Sequence, residues 1–398
     1  GDFKAYDKKT GKLVLALTSQ EFWGRATGSG GPAKNPDNKD PRMLYDPSAG
    51  RWYASSQRTD GATNGSTPIV FARSDTDDPT GGWKAVPFLV DPELTPDTFC
   101  DFDVMGYNAD AVYLSINQFT IKDKRPMPAG TALFSIKKSD LNQAEPVLTL
   151  DRQPHVGDGR DFAPVLDYDG KSRVISFLAR ITQRGLTTDA FLRHDIAGDA
   201  KTWKLQRAAA PVRILPGVEW EKSRYVATVA QPGGRDIAAA SGVPTPAPLV
   251  NGEIWLVYTV ALPEDPKRSG FRWLRMRAAD NTIVESGILW DPKVNLLNPS
   301  IAADALGNVV VGGHGTGPEN FVGAYAFAGR LANGTVKFDG LLTVKAGAGD
   351  HNASVRWGDY TVTLPDVTAP GSFWLFQATA QANGDWAMQI SQLVFPRR

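Results

Sequence analysis

The fold is decided by the stretch Asp40-Pro41-Arg42-Met43-Leu44-Tyr45-Asp46, which turns at 47–50 and returns as Arg51-Trp52-Tyr53-Ala54-Ser55. Both halves are short and rich in apolar residues, and the turn between them begins with proline and ends with glycine, which favours an antiparallel β-hairpin. Two more strand-like runs follow at 68–72 and 83–86. The stretch therefore predicts a four-stranded antiparallel sheet.

The same arrangement recurs along the chain at a spacing of about 50 to 85 residues. The predicted inner hairpins, each given as its two strands, are 40–46 with 51–55, 101–107 with 111–115, 161–167 with 173–177, 247–250 with 253–258, 299–304 with 309–311, and 355–360 with 373–376. Helical periodicity is nearly absent, so we expect an all-β chain. Repeated four-stranded sheets are typical of the blades of a β-propeller.

The prediction for the whole chain, 1–398, is a single β-propeller domain of six four-stranded blades, with seven blades as the alternative. A blade cannot bury both of its faces alone, so the ring would be the folding unit. The predicted parts are 1–39 as closing strands and the loop leading to the first blade, 40–206 as blades 1 to 3, 207–241 as an insertion or degenerate blade, and 242–398 as the remaining blades.

Ring closure is expected from both ends of the chain. The runs at 3–6 and 13–17 are predicted to complete the last blade, whose third strand is 386–390. Closure would remove exposed sheet edges. Other predicted details are an outer strand at 146–150 in the second blade and, as one form of the insertion, a short helix at 218–229.

Composition excludes several classes of protein. The chain has 43 basic and 43 acidic side chains, so it has no global basic field that would make nucleic acid its main partner. Hydrophobic residues make up 42% and aromatic residues 10%, which is enough for a packed core and excludes a largely disordered chain. No apolar stretch reaches about 18 residues, so we expect no membrane insertion. Cys100, the single cysteine, permits no internal disulfide and is predicted to be buried.

Four segments carry distinctive motifs: Phe3 to Gly11, the first blade, Ser74 to Trp83, and Arg356-Trp357-Gly358-Asp359-Tyr360. These segments resemble those of secreted bacterial β-propellers of largely uncharacterised function. The resemblance spans most of the chain and implies an exported propeller, located outside the cell or in the periplasm. Ser74 to Trp83 is also loosely similar to the Asp-box turns of sialidase-like propellers. Its spacing departs from S-x-D-x-G-x-T-W, and the arginine triad of sialidases is not matched, so no sialidase activity is implied.

Candidate site residues come mainly from the loops that lead into the inner strands, because these loops line one face of a propeller. The predicted catalytic residues are Asp40, Asp101, Asp161, His351 and Arg356. The predicted substrate-binding residues are Arg160, Trp220, Arg235, His314 and Trp357. The predicted metal ligands are Asp103, Asp158 and Asp359. Trp23 is a further candidate for stacking on a sugar ring.

Three kinds of chemistry suit this set of residues. Two carboxylates across a sugar-sized pocket can hydrolyse a glycosidic bond as acid and as base or nucleophile. A histidine (His155, His314 or His351) with a tyrosine and an arginine can abstract a proton beside a uronate carboxylate, as in a polysaccharide lyase, with the arginine neutralising the acid group. Carboxylates with amide oxygens can bind Ca²⁺, which takes six to eight oxygen ligands. No HExxH, CxxC, GxSxG, P-loop or GxGxxG motif occurs, so no organic cofactor is expected.

The leading functional hypothesis is an extracellular carbohydrate-active enzyme, either a glycoside hydrolase or a polysaccharide lyase, with its pocket at the mouth of the propeller channel. The first alternative is a non-catalytic module that binds a glycan or a protein at the cell surface, and the second is a purely structural surface protein. The loop residues differ from blade to blade, which favours one asymmetric site and hence an enzyme. The expected partner is a polysaccharide or glycan, and the chain is expected to be a monomer.

Overall fold

The computed structural model describes residues 2–26, 38–58, 68–89, 98–153, 162–183, 186–197, 204–207, 212–213, 228–239, 245–358 and 360–396. Two compact units are present. Unit 1 comprises Gly1–Phe177 and His194–Ala208, and unit 2 comprises Leu178–Arg193 and Ala209–Arg398. The single-domain prediction itself stays a prediction.

Short strands make up most of both units, and only two short helices accompany them in the described ranges. The elements up to residue 166 are β1 (Asp2–Tyr6), β2 (Leu13–Thr18), α1 (Ser19–Arg25), β3 (Asn38–Asp46), β4 (Arg51–Arg58), β5 (Pro68–Ser74), β6 (Trp83–Leu89), β7 (Thr98–Tyr107), β8 (Ala111–Lys122), β9 (Arg125–Lys137), α2 (Lys138–Leu141), β10 (Leu150–Gln153) and β11 (Ala163–Leu166). Those that follow are β12 (Val174–Gln183), β13 (Leu186–Ala197), β14 (Lys204–Arg207), β15 (Val212–Arg213), β16 (Thr228–Val229), β17 (Ile237–Ala238), β18 (Ala247–Val250), β19 (Glu253–Ala261), β20 (Ser269–Arg277), β21 (Ile283–Leu289), β22 (Asn295–Ala303), β23 (Asn308–Gly317), β24 (Asn320–Ala332), β25 (Thr335–Phe338), β26 (Leu342–Lys345), β27 (Val362–Pro365), β28 (Ser372–Ala380) and β29 (Trp386–Val394).

Antiparallel sheets dominate both units, so the all-β prediction is confirmed. In unit 1, β3 to β6 form a four-stranded sheet in chain order, and β7 to β10 form a second one. In unit 2, β18 to β21 pair in order, β24 carries both β25 and β26, and β27 to β29 form a three-stranded sheet. Each sheet is a meander of hairpins, as the repeated sequence pattern predicts.

The core lies between successive sheets. In unit 1, Tyr53 and Phe71 of the first sheet pack with Leu114 and Phe134 of the second. In unit 2, Phe271 packs with residues of β22 to β24, and those strands in turn pack through their other face against β28. The inner strands follow the same order, because β3 packs beside β7, β7 beside β11, β18 beside β22, and β22 beside β27.

Helix α1, which the sequence analysis did not predict, covers the other face of the first sheet. Side chains alternate between the faces of a strand, so Phe71 points into the core between the sheets while Val70 and Ala72 point toward α1. Phe22 and Trp23 of α1 pack on that face. The helix begins with a capping box in which Thr18 and Glu21 bond each other's backbone amides. No helix in the described ranges is long and apolar enough to cross a membrane.

Most turns of the inner hairpins share the same side-chain to backbone hydrogen bond. An aspartate or asparagine at the end of the first strand accepts hydrogen bonds from backbone N–H groups of the turn that follows it, a local pattern that favours chain reversal. These residues are Asp46, Asn108, Asp167, Asp304 and Asp366. The hairpin from β18 to β19 turns instead through Asn251 and Gly252, both with positive φ, which suits a two-residue turn.

Three of these turns are joined in unit 1 by buried polar contacts. The Lys138 ammonium, 7% exposed, forms an ion pair with Asp46, which is fully buried, and donates to the carbonyl of Asn108. The Asn108 amide donates to the Arg173 carbonyl at 3.0 Å. Burial lowers the pKa of Lys138, and the Asp46 charge opposes that shift. The ends of β3, β7 and the hairpin that follows β11 are therefore held together.

The structure corrects three details of the predicted elements. The run at 146–149 is not a strand, because Val147 bonds back to Asp140 and β10 begins only at Leu150. The predicted strand at 355–360 is also wrong, because the carbonyls of Trp357 and Gly358 accept hydrogen bonds from the Asn298 side chain and the last inner strand is β27. In the predicted helix, 228–229 forms β16, and 218–227 lies outside the described residues.

The runs at 3–6 and 13–17 form strands as predicted, and β1 and β2 pair with each other. Closure of the ring, the number of blades and the role of these strands in the last blade stay predictions. Cys100 is buried, as predicted.

Replacing Asp46 with asparagine should destabilise unit 1 by about 3–5 kcal/mol, because it leaves the Lys138 ammonium buried without its counter-charge. The measurement is the free energy of unfolding from denaturant titration. Lys84→Met is the matched control: it removes the exposed ion pair of Lys84 with Glu145 (2.8 Å), and we expect a loss below about 1 kcal/mol. Equal effects of the two substitutions would contradict this account of the turns.

Candidate functional site

Three inner strands carry a β-bulge in their first half. The register shifts between Lys39 and Arg42 in β3, between Asp101 and Asp103 in β7, and between Leu297 and Ser300 in β22. One residue in each bulge has positive φ: Asp40 at 50°, Phe102 at 60° and Asn298 at 49°. Asp and Asn tolerate this backbone conformation, whereas a phenylalanine rarely adopts it. Bulges turn side chains away from the regular strand direction, so these are the positions at which site residues are set.

In unit 1 the bulges of β3 and β7 surround Arg42. The Nε atom of Arg42 donates to the carbonyl of Asp103 at 2.8 Å, and its guanidinium lies 4.5 Å from the centre of the Phe102 ring. Stacking on an aromatic face together with a backbone hydrogen bond fixes the orientation of a guanidinium. The residue with the unusual positive φ, Phe102, is therefore also the one whose ring holds the Arg42 guanidinium.

Asp103 is buried beneath this arginine and is 0% exposed. Its carboxylate accepts hydrogen bonds from Ser55 Oγ and from Gln57 Nε2, the latter at 3.5 Å. Burial raises the pKa of Asp103, while the Arg42 charge and these hydrogen bonds oppose the shift. Asp103, predicted to bind a metal, therefore has its oxygens engaged by neighbouring side chains. No group of three or more metal-binding side chains is found within the described residues.

Asp40 lies at the bulge of β3, two residues before Arg42, and Asp101 lies at the bulge of β7. Asp40 is half-buried and Asp101 is exposed, and the charge of Asp40 acts on buried Asp103. Because β3 packs beside β7, the structure brings these predicted site residues into one region of unit 1. We call Asp40, Asp101, Asp103 and Arg42 the carboxylate cluster.

In unit 2 a second group of predicted residues comes together, but it is buried. His314 in β23 is 0% exposed, and its Nε2 accepts a hydrogen bond from the Ala378 amide at 2.9 Å. The backbone of Gly358, with φ of 40°, lies against the His314 ring, where a Cβ would come within 2.8 Å of Cε1. Burial lowers the pKa of His314 to about 3. His314 is thus a neutral acceptor in the core.

Trp357 lies between His314 and His351 and exposes only 4% of its surface. Its ring makes edge-on contacts with both histidines, with ring centres 6.0 Å and 4.9 Å apart. Three ring nitrogens of this group, His314 Nδ1, His351 Nδ1 and Trp357 Nε1, have no hydrogen-bond partner among the described residues. In this arrangement neither Trp357 nor His314 presents a surface to a sugar, contrary to their predicted roles in substrate binding. Trp23 is buried as well, in the core beneath α1.

The loop that carries His351 is held by its backbone. Gln231 donates to the His351 carbonyl at 2.7 Å and accepts from the His351 amide at 2.9 Å. The Arg235 backbone amide donates to Asn352 Oδ1 at 2.9 Å. Arg235 and Arg356 are both exposed. Unit 2 therefore gathers the predicted residues His314, His351 and Trp357 with the backbone of Arg235.

The remaining predicted site residues lie outside the described residues. They are Asp158, Arg160, Asp161, Trp220 and Asp359. Their roles stay predictions, and so does the calcium site of which Asp158 and Asp359 are predicted ligands.

Sequence reasoning missed three residues that organise these sites: Arg42, Phe102 and Gln231. Arg42 and Phe102 belong to the same bulged positions as Asp40 and Asp101, so an alignment of the inner strands would have drawn attention to them. Gln231 lies in the unassigned insertion and carries no sequence signal, because its partner His351 is 120 residues away.

Comparison with known proteins gives structural neighbours only. No family model matches the chain, and no curated protein matches it. The chain is similar to a protein of unknown function from Dyadobacter fermentans, with 10% identity and a TM-score of 0.48, over 90% of this chain and 95% of that one. It is also similar to Trypanosoma rangeli sialidase in complex with sialic acid, with 9% identity and a TM-score of 0.42, over 98% of this chain and 56% of that one. A third neighbour is an ulvan lyase of a new polysaccharide lyase family, with 12% identity and a TM-score of 0.42, over 99% of this chain and 87% of that one.

The low pKa of His314 predicts an acid-sensitive unit 2. The unfolded chain takes up this proton near pH 6.5, whereas the folded chain takes it up only near pH 3. The contribution of the neutral ring is present above pH 6.5, and the free energy of unfolding should fall by about 1.4 kcal/mol per pH unit below that value. His314→Gln removes the titrating group and keeps an acceptor for the Ala378 amide. Between about pH 3 and pH 6.5, the slope of its unfolding free energy against pH should therefore be smaller than that of the parent chain by about 1.4 kcal/mol per pH unit, which corresponds to one proton. Parallel profiles for the two proteins would contradict the assignment.

Proposed function

We propose that this protein is a carbohydrate-active enzyme that hydrolyses glycosidic bonds, with Asp40 and Asp101 as its pair of catalytic carboxylates. One observation carries the proposal. Asp40 and Asp101 lie at bulges of neighbouring inner strands, beside a guanidinium held by Phe102 and by the Asp103 carbonyl. Paired carboxylates on separate strands are the groups that glycoside hydrolysis requires.

The environments of the two carboxylates support different roles. We assign half-buried Asp40 as the general acid that protonates the leaving oxygen. Exposed Asp101 is suited to activate water or to attack the anomeric carbon. Arg42 supplies a positive charge at the bulges of β3 and β7, in an orientation fixed by Phe102 and by the Asp103 carbonyl.

The burial of the histidines favours hydrolysis over a lyase reaction. All three histidines that the structure describes are buried: His194 is 1% exposed, His314 0% and His351 8%. A lyase base must come within hydrogen-bond distance of a proton on the sugar ring. Buried rings do not meet this requirement for a polymeric substrate, so none of these three histidines is suited to be a lyase base.

We further infer that the antiparallel sheets are blades of a β-propeller. The support comes from within each unit, where consecutive sheets stack face to face and the inner strands neighbour one another in chain order. Six blades, closure of the ring and export from the cell are part of this proposal.

The test is a screen of neutral and uronate polysaccharides with the full chain, scoring new reducing ends and the absorbance of unsaturated sugars, with and without EDTA. Asp40→Asn and Asp101→Asn should each lower the rate of reducing-end formation by at least about 10²-fold. The matched control is Asp123→Asn, an exposed aspartate at the β8–β9 turn, which should stay within about twofold of the parent chain.

Three outcomes would overturn the proposal. Unsaturated products would indicate a lyase. Cleavage unaffected by both substitutions would place the catalytic groups elsewhere. Binding without any cleavage would leave the non-catalytic glycan-binding module as the function.

A further inference from the structure

Strand β29 is the last strand of a three-stranded sheet and is open on its outer side. It pairs with β28 along its whole length, from Ala380 with Trp386 to Ser372 with Val394. Among the described residues, no strand pairs with its other edge. The edge of a sheet presents unpaired backbone N–H and C=O groups, which are a template for a further strand.

The side chains of β29 are unusually apolar and exposed for such a position. Trp386 is 60% exposed, Met388 46% and Val394 63%. Because side chains alternate along a strand, these three residues share one face with Ile390. An exposed apolar face next to an open edge indicates an interaction surface.

Charge distinguishes β29 from the last strands of the other sheets that have three or more strands. Its nine residues, Trp386 to Val394, contain no charged residue and no proline. The others carry such residues: Lys84 and Pro87 in β6, Asp151 and Arg152 in β10, Glu285 in β21, Lys337 in β25 and Lys345 in β26. Charges and prolines at sheet edges prevent pairing with other chains, and β29 lacks this protection.

We propose that β29 is a self-association surface, through which two copies of this chain pair as antiparallel edge strands about a two-fold axis. The sequence of β29 is complementary to itself in this arrangement. The register that pairs all nine residues has Ile390 on the axis, which puts Trp386 opposite Val394 and Ala387 opposite Leu393. The outermost pairs on each face then join two apolar side chains, and no like charges are brought together. The proposal is independent of the catalytic one. It replaces two expectations from the sequence, the monomer and the pairing of the runs at 3–6 and 13–17 with the last blade, since β1 and β2 pair with each other.

The first test measures the mass of the full chain by sedimentation between about 1 and 100 µM. We expect a concentration-dependent dimer. Met388→Lys places a charge on the edge and should weaken dimerisation by at least about tenfold. Leu306→Lys is the matched control, because Leu306 is 63% exposed in the turn between β22 and β23, and its substitution should leave dimerisation unchanged. A parent chain that stays monomeric throughout, or equal dimerisation of the parent and Met388→Lys, would overturn the proposal.

The second test fixes the register. In Ile390→Cys the two new thiols face each other across the axis, within disulfide reach, so oxidation should give a covalent dimer. Ser391→Cys is the control: residue 391 faces residue 389 of the other copy, so its thiols are too far apart to join. Cys100 does not interfere, because it is buried. Equal cross-linking of the two variants, or none in Ile390→Cys, would contradict pairing about Ile390.

Discussion

The burial of the Lys138 ammonium against Asp46 and the Asn108 carbonyl is the interaction on which unit 1 depends. A charge removed from water costs several kcal/mol unless it is paired, so the chain gains stability only when these turns come together. Asp46 ends β3, and Asp40 lies six residues earlier, about 20 Å along the strand. Fixing the turns at one end of β3 and β7 therefore also fixes the relative positions of the bulges near the other end. The carboxylate cluster is thus positioned by contacts far from it.

The bulges show how one repeated feature of the backbone serves two purposes. In β22, Asn298 uses its side-chain amide to bind the carbonyls of Trp357 and Gly358, so the bulge holds a neighbouring segment in place. In β3 and β7, the corresponding positions leave Asp40 half-buried and Asp101 exposed. The backbone repeats while the side chains differ, which is the pattern expected for one asymmetric site on a repeated scaffold.

The sequence predicts what is local and repeated. Asp46, Asn108 and Asp167 mark the turns because each side chain accepts a hydrogen bond from the backbone N–H two residues later. The strands follow from the order of apolar and polar residues. The capping box of Thr18 and Glu21 also marks α1, although the surrounding strand-like runs obscured it. The strand expected at 355–360 fails for a reason that no local pattern contains, since Asn298, some 60 residues away, binds its carbonyls. The same limit applies to the site: Asp40 and Asp101 could be named from their place before inner strands, but Arg42 gains its role only when Phe102 folds beneath it.

Burial, more than residue type, decides which chemistry the described residues can perform. His314 and His351 would be versatile acid–base groups in water, yet in unit 2 one ring accepts a backbone hydrogen bond in the core and the other is packed against Trp357. The buried, neutral ring of His314 contributes to packing and cannot exchange protons with a substrate. Carboxylates resist such burial because their charge is costly to remove from water, and Asp103 is buried only with Ser55, Gln57 and Arg42 around it. Asp40 and Asp101 keep their access to solvent, which is why the proposed catalysis is assigned to them.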